Sequence, residues 1–213
     1  MGLAIAVGVL AGGPDDDPEA IAFDRRNFRH INRLLAANGL KLHKEPEPLP
    51  DFTFRSGCPS FPYAWTPYLY RAIAYALRAP DEFRPVREGE NPAKDKRIDD
   101  ELYTFAESHI ICHSDTEGYF VPIDFPDVLV DKRKNGLTGR LLGSSQRALA
   151  ELVRTAPLLG IRLRDGKLSD NAARKLSKEP DGSHPCWIER KVWLRMFEAF
   201  RLSVEHKCVV AYG

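Results

Sequence analysis

The sequence predicts a single α+β domain, residues 1–213, in which a small mixed or antiparallel sheet with internal N- and C-terminal strands is packed by several helices. Three observations lead there. Residues 3–10 and 207–212 are short, continuous apolar runs rich in β-branched residues, the pattern of strands buried inside a sheet. Between them lie several amphipathic stretches with helical caps. The chain of 213 residues is long enough for one sizeable core and short for two.

The first strand spans residues 3–10, is read as covered on both faces, and ends at Gly12-Gly13-Pro14. Asp17 then offers an N-cap carboxylate, Pro18 suits the first helical position and Gly39 suits the residue past the end, so a helix is expected over 18–38 with Ile21, Phe28, Ile31 and Leu35 inward. Residues 45–62 hold five prolines and read as an irregular surface crossing. Thr66-Pro67 opens a second helix that Ala79-Pro80 closes. The charged, Pro- and Gly-rich stretch 80–99 has little to bury and is expected to be a mobile loop.

Residues 109–113 and 119–123 read as the two strands of a hairpin, joined by Ser114-Asp115-Thr116-Glu117-Gly118. Pro122 cannot donate to a ladder, so the second strand should run at a sheet edge or end there. A helix is expected over about 144–156, a short one capped by Ser169, and a long apolar one over about 187–204. Its two adjoining stripes, Ile188, Val192, Met196 and Ala199 beside Trp193, Phe197, Phe200 and Val204, imply deep burial.

Composition excludes several function classes. Lys plus Arg number 31 and Asp plus Glu 30, a net charge of +1 that gives no overall field to attract an anionic polymer. Nucleic acid is therefore disfavoured as a partner. The charges read as interspersed, the basic run Lys132-Arg133-Lys134 and the acidic run Asp15-Asp16-Asp17 being taken as solvated loops. The four cysteines, Cys58, Cys112, Cys186 and Cys208, form no CxxC pair and are expected to be reduced thiols. The apolar start lacks a positive n-region and is too short to span a bilayer, so a cytoplasmic protein without a membrane partner is expected.

The densest set of functional side chains lies in the expected hairpin. If residues 109–113 form a strand, His109 and His113 share a face. With Asp115 and Glu117 at the following turn they could ligate a divalent metal, the one cofactor this set suggests. Alternatively His113, Asp115 and Glu117 could act as acid and base. The same Ser-Asp-Thr-Glu-Gly segment is equally what a tight turn requires. A second candidate is an anion site where Gly143-Ser144-Ser145 opens a helix, with Arg140, Ser144, Ser145 and Arg147 as its groups; ordinary Ser capping explains the same residues.

The start Met-Gly-Leu-Ala-Ile-Ala-Val and the segment Cys112-His-Ser-Asp-x-Glu-Gly-Tyr-x-Val-Pro-x-Asp-Phe125 resemble an uncharacterised bacterial protein family of similar length. The similarity continues through Leu142-Gly143-Ser144-Ser145 and residues 187–212, and it implies no particular activity. Two functional readings follow from the residues. One is a non-enzymatic binding or regulatory protein, immunity-like, acting on a protein partner. The other is a metal-dependent or acid/base hydrolase centred on residues 109–117. The sequence fixes neither the substrate nor the oligomeric state.

Overall fold

The computed structural model describes residues 2–10, 17–50, 53–57, 60–132 and 136–213. A six-stranded sheet of order β2-β1-β6-β3-β5-β4 forms its centre. The strands are β1 (Gly2–Val7), β2 (Ser60–Pro62), β3 (Gly118–Val121), β4 (Leu129–Val130), β5 (Leu141–Ser144) and β6 (Val210–Tyr212). Neighbours are antiparallel except β3 and β5, which run parallel and make the sheet mixed. The helices are α1 (Pro18–Ala37), α2 (Thr66–Arg78), α3 (Lys96–Asp100), α4 (Ser145–Thr155), α5 (Asp170–Ser177) and α6 (Trp187–His206). This is the α+β architecture expected, one compact domain.

The helix starts follow local chemistry. Asp17 accepts from the Glu19 N–H with Pro18 at the first position, Ser144 accepts from the Arg147 N–H, and Ser169 accepts from the Ala172 N–H. The larger core lies between one sheet face and α2, α4 and α6, and takes Leu3, Ile5, Phe61, Phe120, Trp193 and Phe200. A smaller core on the other face joins Ile31, Leu34 and Leu35 of α1 to Tyr119, Val121 and Leu142. Tyr119 and Phe120 therefore enter opposite cores, as the two-residue period of a strand requires.

Both terminal strands are internal, β1 between β2 and β6 and β6 between β1 and β3. The expectation that residues 3–10 are covered on both faces is corrected. Leu3, Ile5 and Val7 are buried while Ala4 and Ala6 are exposed. The apolar run alternates large and small residues, and only the large ones need cover.

The expected strand over 109–113 is also absent; the chain there is a series of turns. Two buried carboxylates dictate this conformation. Glu101 accepts the N–H groups of Glu107 and Ser108 at 2.8 and 2.7 Å, and Glu151 accepts those of His109 and Ile110 at 2.6 and 3.3 Å. With its donors satisfied by side chains, the segment needs no ladder partner. Ile110 and Ile111 are both buried in the same core, which a strand would not permit. Strand β3 begins only at Gly118, lies inside the sheet and ends at Val121, one residue before Pro122.

The stretch expected to be a mobile loop, 80–99, instead folds back on α2. Arg71 pairs with Asp95 at 2.7 Å, Arg84 with Glu90 at 2.7 Å and Arg97 with Glu82 at 2.5 Å, while Pro92 and Ile98 are buried. No helix of the described residues is long and apolar enough to cross a membrane.

Candidate functional site

The structure separates the residues that the sequence places in one hairpin. His113 is 5 % exposed, stacks on Phe120 with ring centroids 4.1 Å apart and contacts Tyr212 edge-on. Its two ring nitrogens face the carbonyls of Ser114 and Tyr119, each at 3.1 Å. Burial pushes the imidazole down to about 4. His109 is also buried: the Ser144 N–H donates to its Nδ1 at 2.9 Å, and its Nε2 lies 3.0 Å from the Pro126 carbonyl. Each histidine fastens two backbone segments together. Asp115 and Glu117 are exposed on the turn, and Ser114 organises that turn by accepting the Thr116 and Glu117 N–H groups. Among the described residues no group of three His, Cys, Asp or Glu side chains could hold a metal.

Gly118 shows how tightly this turn joins the core. Its φ is +128°, and a Cβ there would lie 2.5 Å from His113 Cε1. Gly118→Ala is therefore expected to cost about 2–3 kcal/mol, through backbone strain plus displacement of a ring held between Phe120 and Tyr212. Gly182→Ala, at φ +74° with open space around the new methyl, is the control and should cost about 1 kcal/mol. Thermal unfolding of both variants checks this, and equal losses would remove the steric part of the argument.

The residues suggested for an anion site are dispersed. Arg140 precedes β5 and Ser144 ends it, a separation of about 13 Å at strand rise. Ser144 and Ser145 are fully buried, one capping α4 and the other bonded to the Ser203 hydroxyl at 2.7 Å. Arg140 donates to the Asp131 carbonyl at 3.2 Å, and Arg147 pairs with Asp124 at 2.5 Å. The thiols are no better poised for chemistry. Burial pushes Cys112 and Cys186 up to about 12 and Cys208 up to about 11, while Cys58 lies outside the described residues.

What sequence reasoning missed is a segregation of charge. From Asp99 to Asp131 the chain holds nine carboxylates and not one Lys or Arg, so the charges are not interspersed there. The structure sorts these nine. Glu101 and Asp131 are buried, whereas Asp99, Asp115, Glu117 and Asp127 are exposed and form no ion pair among the described residues. Asp100, Glu107 and Asp124 pair with Lys96, Arg78 and Arg147.

Apolar surface accompanies the carboxylates. The π-helical turn Glu101–Phe105 is followed by Ala106 in the left-handed region (φ 53°), and residues 103–107 are all exposed, Tyr103 to 83 %. Arg78 lies over the Phe105 ring at 4.0 Å and reaches both Glu101 and Glu107. Buried Glu101 thus fixes a turn whose tip is an aromatic ring flanked by carboxylates. A count of acidic against basic residues along 99–131 would have found this segment.

Net charge alone hides the asymmetry for a second reason. Among the described residues six carboxylates are buried (Glu45, Glu101, Asp131, Glu151, Glu189 and Glu198) but only two guanidinium groups (Arg71 and Arg195). The exposed surface is accordingly more basic than the total of +1 suggests.

No curated protein and no solved structure matches the chain. A family model described as "Putative DNA-mimic protein" matches residues 1–212. This match overturns both functional expectations drawn from the sequence, the immunity-like binding protein and the hydrolase centred on residues 109–117. With the match running from the first residue to the last but one, the chain belongs to that DNA-mimic family.

Proposed function

We propose that this protein binds a DNA-binding protein in place of DNA, presenting the exposed carboxylates of residues 99–131 where the partner expects phosphates. The observation that carries the reading is the run of nine acidic residues without a Lys or Arg, in a chain whose net charge is +1. A DNA-binding surface is selected for closely spaced negative charge and recognises it largely without regard to sequence. Four exposed carboxylates with no internal ion pair, Asp99, Asp115, Glu117 and Asp127, are free to meet its Lys and Arg side chains. Mimicry of this kind is local, since outside residues 99–131 the chain carries 31 Lys and Arg against 21 Asp and Glu. Tyr103 adds an apolar anchor within the acidic segment, the combination of central aromatic and charged surround typical of interface hot spots.

Release of DNA-binding proteins from DNA-cellulose tests the reading. At near-physiological salt the wild-type chain should displace a subset of such proteins from an extract of its own cells, each then forming a complex with it by size-exclusion chromatography. The variant Asp99→Asn/Asp115→Asn/Glu117→Gln/Asp127→Asn should lose at least about tenfold in potency, roughly 1.4 kcal/mol. Failure of the wild type to release any protein, or equal potency of the variant, would overturn the proposal.

A further inference from the structure

The outer face of α1 carries Arg25, Arg29 and Arg33, one helical turn apart, with Arg26 beside them, and all four are exposed. None forms a salt bridge among the described residues, whereas Arg55, Arg71, Arg78, Arg84, Arg97, Arg147, Arg190 and Arg201 all do. Like charges at i and i+4 weaken a helix by a few tenths of a kcal/mol per pair. The arrangement is therefore unfavourable for the isolated chain.

A second segment packs against α1. The Thr138 N–H donates to Asn27 Oδ1 at 3.1 Å, and a Cβ on Gly136 would lie 2.6 Å from His30 Cε1, so Gly136 and Thr138 sit against α1, while exposed Lys132 lines a pocket with Leu34, Ala37 and Asn38. Burial lowers the His30 imidazole, and Arg33, Arg29 and Arg26 lower it further. Asp131, the carboxylate that opposes them, is buried, and its Oδ2 is 3.4 Å from the Leu137 N–H.

We propose that the arginine face of α1 binds the phosphate backbone of DNA. Guanidinium groups about 6 Å apart can each take a phosphate oxygen pair, and Arg is the cation whose fork fits that group. A membrane surface is the poorer match, because the apolar side of α1 (Ile31, Leu34 and Leu35) is already buried against the sheet and cannot enter a bilayer. The arginines belong to α1 and not to the acidic segment 99–131, although Asp127 and Asp131 of that segment line a pocket with Leu34 and Ala37 of α1, and DNA binding by α1 does not depend on what that segment binds. A mimic so equipped would hold its protein partner with one surface and neighbouring DNA with another.

The probe is a fluorescently labelled duplex of about 20 base pairs, followed by anisotropy as NaCl is raised from about 25 to 200 mM. Wild type should bind, with log K falling linearly in log salt. Arg25→Ala/Arg29→Ala/Arg33→Ala should bind at least about tenfold more weakly, with a slope smaller in magnitude by about three. Arg162→Ala/Arg174→Ala/Lys175→Ala removes equal charge near α5 and should leave affinity and slope close to wild type. The proposal is overturned if wild type does not bind at the lowest salt, if both triple variants lose equally, or if phosphatidylserine vesicles are bound and the duplex is not. Repeating the DNA-cellulose release with the α1 variant keeps the two proposals apart, since release acting through residues 99–131 should persist.

Discussion

Trp193→Ala should lower the free energy of unfolding by about 3–5 kcal/mol. Trp193 is fully buried, stacks on Phe197 at 4.6 Å and 16°, and donates its indole N–H to the Leu152 carbonyl of α4 at 2.8 Å. It therefore ties α6 to α4 in addition to filling the larger core. Truncation loses the ring's transfer free energy, leaves a cavity walled by a helix pair that cannot close freely, and removes one donor from a buried carbonyl. Phe197→Ala should cost a similar amount, but the double variant should cost less than both losses added, because the two rings share a wall. Guanidinium unfolding of the three variants checks this. A loss under about 1 kcal/mol for either single variant would mean that α6 is not the central core element.

That prediction rests on a part of the fold legible from sequence, because the pattern of α6 is local. Its buried residues 192–200 follow from a helix apolar on most sides, and the other helices follow from caps only a few residues away: Asp17 with Pro18, Ser144, Ser169. The turn at 109–113 was not legible. Its backbone donors are satisfied by Glu151, some 42 residues downstream, and no window around His109 contains that information. The candidate hairpin site failed for the same reason, since its two histidines were placed by an assumed strand. The acidic segment was legible but obscured by a whole-chain total that averages it with basic α1. The kind of partner proposed was not written in any residue pattern; the proposal draws on family membership.

Acid sensitivity gives the second large effect. His43 and His113 are buried to 6 and 5 % exposure, and burial holds both imidazoles at about 4, against an ordinary value of 6.5. For His43 burial is the whole cause, and its Nε2 has no hydrogen-bond partner. For His113 the carbonyls of Ser114 and Tyr119 pull the other way without overcoming burial. A folded pKa below the unfolded one means that the unfolded chain takes up the proton first. The stability held above pH 6.5 is therefore lost as pH falls from 6.5 to 4, by about 3 kcal/mol for each histidine. Glu151 has the opposite sign, because burial pushes its carboxyl up to about 7, so its contribution is greatest in acid and declines as pH rises from 4.5 to 7. Single variants isolate the terms. The stability of His43→Phe relative to wild type should improve by about 3 kcal/mol between pH 7 and pH 4, His113→Phe should improve comparably, and Glu151→Gln should move the other way. Urea unfolding at closely spaced pH values provides the measurement. A stability difference between His43→Phe and wild type that stays constant with pH would show that this imidazole titrates normally in the folded protein, and the burial argument would fall with it.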